Sequence, residues 1–361
     1  GCGMSATRCC NSSNPHASRR AFTSARLCST IAASVGVVLI VMGCMTTAAG
    51  ATVAASEASA VAQMETEASG NVFQISHPMW PIIIGAISAV VFSSSGLWRL
   101  RRIPIRPWRF GPGAGIVTFI LAVVVGAISS SVAVQVMGVE LNEQSPLSDM
   151  LPIMLVGWFA QLGVAACLPM IRSAVDPPMT FRDYRTPRRG SGCPDRRKPR
   201  WMASIAGLFG LLFFWPMTLA AAGLAGLLWQ FFTAEPPSMI AHSLLGQLAD
   251  AGPSATSVST IVAVIILPAV VEETLYRGLL QESLRRAKLF SSGAPWQSII
   301  LTSLLFTAMH VGAVDPHGLA GLFVLSLGFG WVYAKTGRLT ASITMHMAFN
   351  AGNILLAVPW L

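Results

Sequence analysis

Thr260-Ile-Val-Ala-Val-Ile-Ile-Leu-Pro-Ala-Val-Val-Glu-Glu-Thr-Leu-Tyr-Arg277 begins as a membrane-type apolar run and then places two carboxylates and a guanidinium inside it. A charged group at bilayer depth costs roughly 2.5 to 3.5 kcal/mol on the lenient insertion scale, so such groups usually face a protein interior and mark a functional site. Glu272 and Glu273 are adjacent, and Glu273 stands four residues before Arg277, the favourable order for a pair on one helix face. Glu273 is therefore expected to hold the helix through Arg277, which leaves Glu272, one step around, as the reactive carboxylate. Pro268, one turn earlier, removes a backbone donor and permits a kink that opens a wet pocket beside the glutamates.

Outside this stretch the chain reads the same way. Its 361 residues are 53% hydrophobic and 11% charged, with a mean hydropathy of +0.62, against about 25% charged in soluble domains. Apolar segments of helical length occur near 31–54, 77–98, 110–138, 149–171, 201–232, 256–284, 296–312, 318–334 and 339–358. The expected fold is an all-α polytopic transmembrane bundle of eight or nine spans, eight if the first run is a cleaved secretory signal. With the N-terminus in the cytoplasm, all of the 24 Lys and Arg residues except Arg277 fall on the cytoplasmic side. The opposite segments carry only acids, among them Glu57, Glu140, Glu143, Asp149, Glu235, Asp250 and Asp315. This segregation places the C-terminus outside, in a multi-pass protein expected in the plasma membrane. The net charge of +9 thus reflects topology rather than a nucleic-acid partner, and the basic run 182–200 reads as a cytoplasmic loop near anionic headgroups.

Seven cysteines without Cys-x-x-Cys spacing give neither a disulfide framework nor a thiolate metal site. The Ala/Ser-rich stretch 45–70 reads as an external loop. The divisions expected are 1–76, a tail with the first span or signal anchor and that loop; 77–200, further spans and the basic loop; and 201–361, a domain whose core at 256–355 carries the intramembrane polar residues.

Three polar pairs recur at a spacing of four within the last spans: Glu273 with Arg277, Phe306 with His310, and His346 with Asn350. Each pair shares a helix face. At about 1.5 Å rise per residue, Glu272 and His310 lie roughly 20 Å from the basic side, Asn350 roughly 16 Å and His346 roughly 10 Å, compatible with one cluster. A carboxylate and an imidazole can hold and deprotonate water while other donors stabilise an oxyanion. Glu272, His310 and His346 are equally a His/His/Glu set of the kind that binds catalytic zinc. Spacing alone leaves both chemistries open. Phe306 reads as a wall of the pocket, and Tyr276 as a packing ring or a donor to Glu272.

The ordered motifs Glu-Glu-x-x-x-Arg (272–277), Phe-x-x-x-His (306–310) and His-x-x-x-Asn (346–350) resemble the CPBP family of intramembrane proteases, which includes the type II CAAX prenyl endopeptidases and bacteriocin-processing proteins. The resemblance covers residues 256–355. It implies that Glu272 and His310 activate the attacking water, that His346 and Asn350 supply an oxyanion hole or a metal ligand, and that Glu273 and Arg277 support them. It implies a peptide or protein substrate in or on the bilayer, lipid-anchored in the CAAX case, and either zinc or a metal-free glutamate mechanism. Elements of other intramembrane proteases, His-Glu-x-x-His, Gly-x-Gly-Asp and Gly-x-Ser-Gly, are absent from the sequence. Two other readings stand beside this one: an ion-coupled transporter with an intramembrane relay, and a silent family member acting as a membrane scaffold.

Overall fold

The computed structural model describes residues 79–100, 111–139, 145–175, 200–234, 243–287 and 295–358. The first expected span, the loop at 45–70, the basic run 182–199 and six of the seven cysteines lie outside these residues. The other eight apolar segments are all helical. They form α1 (Met79–Ser94), α2 (Pro112–Met137), α3 (Leu147–Ala166), α5 (Arg200–Thr233), a continuous helical rod from Ala255 to Arg286, α9 (Pro295–Ala308), α10 (Pro316–Thr336) and α11 (Leu339–Ala357). Short helices α4 (Leu168–Val175) and α6 (Ser243–Asp250) complete the described residues, which contain no strand.

Five helices, α2, α3, α5, the 255–286 rod and α10, are long and apolar enough to cross a membrane. Three expected spans fall short of that test for visible reasons. α1 has 16 residues and α9 has 14, about 21 Å at 1.5 Å per residue for α9. α11 has 19, but Ser342, His346, Asn350 and Asn353 dilute its hydropathy.

The rod changes character along its length. Ser254 caps α7 (Ala255–Glu272), its hydroxyl accepting from the Ser257 amide at 3.0 Å. Val258, Val262 and Ile266 follow at steps of four on its outer face, while Ile261, Ala269 and Val271 turn inward. From Glu273 to Gln281 the helix widens into a π-helical stretch, and α8 (Glu282–Arg286) resumes the α form. All of the π-helical residues except Thr274 are buried. Such wide turns are rare and gather at functional sites, and the sequence pattern carried no sign of this one.

α5 is the central post, packed against α1, α10 and α11. Its Gly207 faces the Ala341 carbonyl, where a side chain would collide with the α11 backbone, so the two helices approach as membrane helices do through small residues. α2 covers the π-helical stretch from the other side, and α7 lies along α11. The rod, α9, α10 and α11 thereby converge on the buried face of Glu272 to Arg277.

Candidate active site

Glu273 and Arg277 are each 0% exposed and form an ion pair at 3.0 Å. Arg277 also donates through Nη2 to the Ser326 hydroxyl at 2.7 Å and the Ser326 carbonyl at 3.1 Å on α10. Its guanidinium carbon lies 4.9 Å from the Phe306 ring centre and 5.1 Å from that of Phe329, a cation held between two aromatic faces. One turn on, Gln281 donates to the Gly330 carbonyl at 3.1 Å. The π-helical stretch is thus tied to α10 at two levels four residues apart.

Glu273 does more than hold Arg277. Its Oε1 also lies 3.1 Å from Nδ1 of His346 on α11. An ionised carboxylate only accepts, so Nδ1 carries the proton and Nε2 is left to face the other glutamate. That nitrogen stands 3.9 Å from Oε2 of Glu272, whose side chain keeps 19% exposure while Glu273 has none. His346 is fixed from the side as well, stacked on Phe329 at 4.6 Å. The two glutamates differ in setting: one is sealed in an ion pair, and its neighbour is accessible and faces an oriented imidazole. Sequence reasoning missed that Glu273 also sets the tautomer of His346, because nothing local connects residues 73 positions apart.

His310 is positioned differently. α9 ends at Ala308, and the His310 amide turns back to the Thr307 carbonyl at 3.0 Å. This leaves the Phe306 carbonyl among the unpaired acceptors of a helix end. The His310 ring donates to it through Nδ1 at 2.7 Å, which points Nε2 outward. His310 packs on the Phe306 ring at 4.5 Å, and Phe306 stands 6.4 Å from His346. Phe306 is 1% exposed and forms the wall between the two histidines. Tyr276 lies edge-on between Phe119 and Phe306, a packing ring rather than a partner of Glu272.

Asn350 has a specific role. Its side-chain amide donates to the Val264 carbonyl of α7 at 3.1 Å. Val264 is the residue whose α-helical partner is Pro268, which has no N–H to give. Asn350 therefore satisfies the acceptor that the proline frees, and ties α11 to α7 just before Glu272. The signal was present in the sequence, since a proline always frees the carbonyl four residues earlier. Changing Asn350 to Leu should destabilise the protein by about 0.6 to 1.7 kcal/mol, the range for interhelical hydrogen bonds in membranes. Pro268→Ala, which restores the missing donor, should recover most of that loss in the double variant, as thermal melts of the four proteins in one detergent would show.

The ligand types for zinc are present, and both histidines have Nδ1 engaged by an oxygen, the outer contact usual for metal-binding imidazoles. Among the described residues, however, no three His, Cys, Asp or Glu side chains converge on a common point. Glu272 and His346 face each other, whereas His310 reaches them across Phe306.

Residues 254–352 match the family model described as type II CAAX prenyl endopeptidase Rce1-like. No curated protein and no solved structure matches the chain. All the motif residues lie within the matched segment. Residues 254–352 are thus similar to the Rce1-like type II CAAX prenyl endopeptidases, and the membrane-length helices make the chain an integral membrane protein.

Proposed function

We propose that the protein is an intramembrane endopeptidase in which Glu272 is the general base. The observation that carries this reading is the relay Glu273–His346–Glu272, with a buried carboxylate orienting an imidazole whose free nitrogen lies 3.9 Å from an accessible one. A water bonded at about 2.8 Å to both Glu272 Oε2 and His346 Nε2 fits beside that gap. Glu272 removes its proton as the oxygen attacks the substrate carbonyl carbon. With Nδ1–H of both histidines already engaged and each Nε2 left as an acceptor, the oxyanion draws on the remaining N–H of Asn350. Collapse breaks the C–N bond, and Glu272 passes the proton to the leaving amine, so atoms and charge balance without a redox partner.

The substrate class is a peptide presented from the bilayer, with prenylated CAAX termini the first candidates on the family match. In this reading the N-terminus and the Arg285 end of the rod lie in the cytoplasm, supported by the segregation of basic residues, which suits a substrate arriving from that side. Residues 201–361 form the peptidase unit in this reading, since α5 packs against both α10 and α11.

If zinc is bound, Glu272, His310 and His346 would hold it after their side chains converge, and it would polarise the substrate carbonyl and the attacking water. The test is cleavage of prenylated and unprenylated CAAX peptides by nanodisc-embedded protein, with zinc measured on the same samples. His310→Ala is expected to lower kcat/KM by about 10² at unchanged metal content. Near-stoichiometric zinc that disappears in His310→Ala and His346→Ala would replace the metal-free step with a metal-assisted one. Equal cleavage by wild type and His310→Ala would remove His310 from the site. Ion flux in proteoliposomes, abolished by Glu272→Gln in a protein that cleaves nothing, would establish the transporter reading instead.

A further inference from the structure

Buried Ser and Thr hydroxyls among the described residues usually bond a carbonyl one turn back: Thr118 to Ala114 and Thr218 to Phe214 at 2.7 Å, and Thr260 to Thr256 at 2.8 Å. Where the π-helical stretch meets α9 this habit fails. Thr302, Ser303 and Ser283 are 0%, 1% and 0% exposed, and their hydroxyls have no protein partner. Glu273 Oε2, Arg277 Nε and Gln281 Oε1 are likewise buried without a protein partner, although the other polar atoms of those side chains are bonded.

These atoms form one seam. Arg277 lies over Phe306. A Cβ at Gly330 would stand 2.9 Å from Gln281 Oε1 and 2.8 Å from Ile299 Cγ2, so Gln281 and Ile299 share a level. The rod and α9 therefore run antiparallel here, with Thr302 on the α9 face shared by Ile299 and Phe306, and Ser303 beside it. The polar atoms descend from Glu273 at the site past Arg277, Thr302 and Gln281 to Ser283, next to the basic end at Arg285 and Arg286. A wide helical stretch lacks the tight ladder of an α-helix, and buried polar atoms without protein partners are the usual hosts of internal water.

We infer that this seam holds a file of internal water running from the Arg285–Arg286 end of the rod to the Glu272–His346 pair. Its purpose, replacing the water consumed in hydrolysis, rests on the peptidase reading, whereas its existence does not. Proximity to the site separates it from a merely cohesive polar interface: water in the file touches Phe306, which is 1% exposed and otherwise sealed.

The experiment is hydroxyl-radical labelling by water radiolysis of the full-length protein in nanodiscs. Internal water generates radicals in place, so Phe306, 1% exposed, is expected to be modified about fivefold faster than Phe214, a core phenylalanine of α5 that is 3% exposed. Thr302→Val combined with Ser303→Ala removes two hydroxyls at nearly constant volume. It should bring Phe306 down to the Phe214 rate and lower kcat about tenfold at unchanged KM, with the melting temperature held or raised. Equal labelling of Phe306 and Phe214 in the wild type overturns the file. So does fast labelling that survives the double substitution. Fast Phe306 labelling, lost in the double variant, in a protein that cleaves no peptide supports the file and overturns the peptidase reading.

Discussion

Glu272→Gln is expected to lower kcat by about 10² to 10⁴ while leaving the fold intact, the range associated with loss of a positioned general base. The expectation comes from how little the side chain does for the structure. Glu272 makes no short hydrogen bond, retains 19% exposure, and meets His346 only at 3.9 Å. Glutamine has the same shape and fills the same space, so helix packing has no reason to change. The amide cannot accept a proton from water, and the chemical step fails. KM should move little, because the carboxylate is proposed to act on water rather than on the peptide. Steady-state cleavage of one peptide by wild type and variant, with melting temperatures on the same preparations, checks the split. A variant that keeps wild-type kcat would move the base elsewhere, and one that unfolds would make Glu272 a structural residue.

Legibility differed between fold and site in a physically intelligible way. The helices were readable because an apolar solvent imposes long unbroken apolar segments, and eight of the expected nine fall on described residues as helices. Their ends were less so. His310 was placed inside a span, whereas α9 stops at Ala308 and the histidine closes its own helix end through the Phe306 carbonyl. The pairing of Glu273 with Arg277 was legible because it is local, four residues along one helix. Contacts from Glu273 to His346, from Arg277 to Ser326 and from Gln281 to Gly330 join residues 49 or 73 positions apart, and no periodicity encodes them. The π-helical stretch belongs to the same class, since its cause is tertiary: Arg277 and Gln281 both reach α10 while Tyr276 packs against Phe119 and Phe306.

Breaking the buried ion pair from either side should be the most destabilising single change in the molecule. Arg277→Met leaves the Glu273 carboxylate with only His346, and Glu273→Leu leaves a fully buried guanidinium with only Ser326 and two aromatic faces. Removing one partner of a buried pair costs about 3 to 5 kcal/mol, because the remaining charge stays desolvated. Replacing both by apolar groups removes the charge together with its penalty, and such exchanges are often neutral or stabilising. The double variant should therefore melt close to the wild type although each single variant melts far below it. Activity should behave in the opposite way. His346 Nδ1 loses its acceptor whenever Glu273 is gone, so the stable double variant should remain about 10- to 100-fold impaired in kcat. Thermal unfolding and peptide cleavage measured on all four proteins in one detergent separate the two roles of Glu273. If the two destabilisations simply add, the pair is not coupled, and if the double variant cleaves at the wild-type rate, Glu273 does not orient His346. The contrast with Glu272 follows from burial: the sealed carboxylate serves both the fold and the tautomer of His346, while its accessible neighbour is the one proposed to serve the reaction.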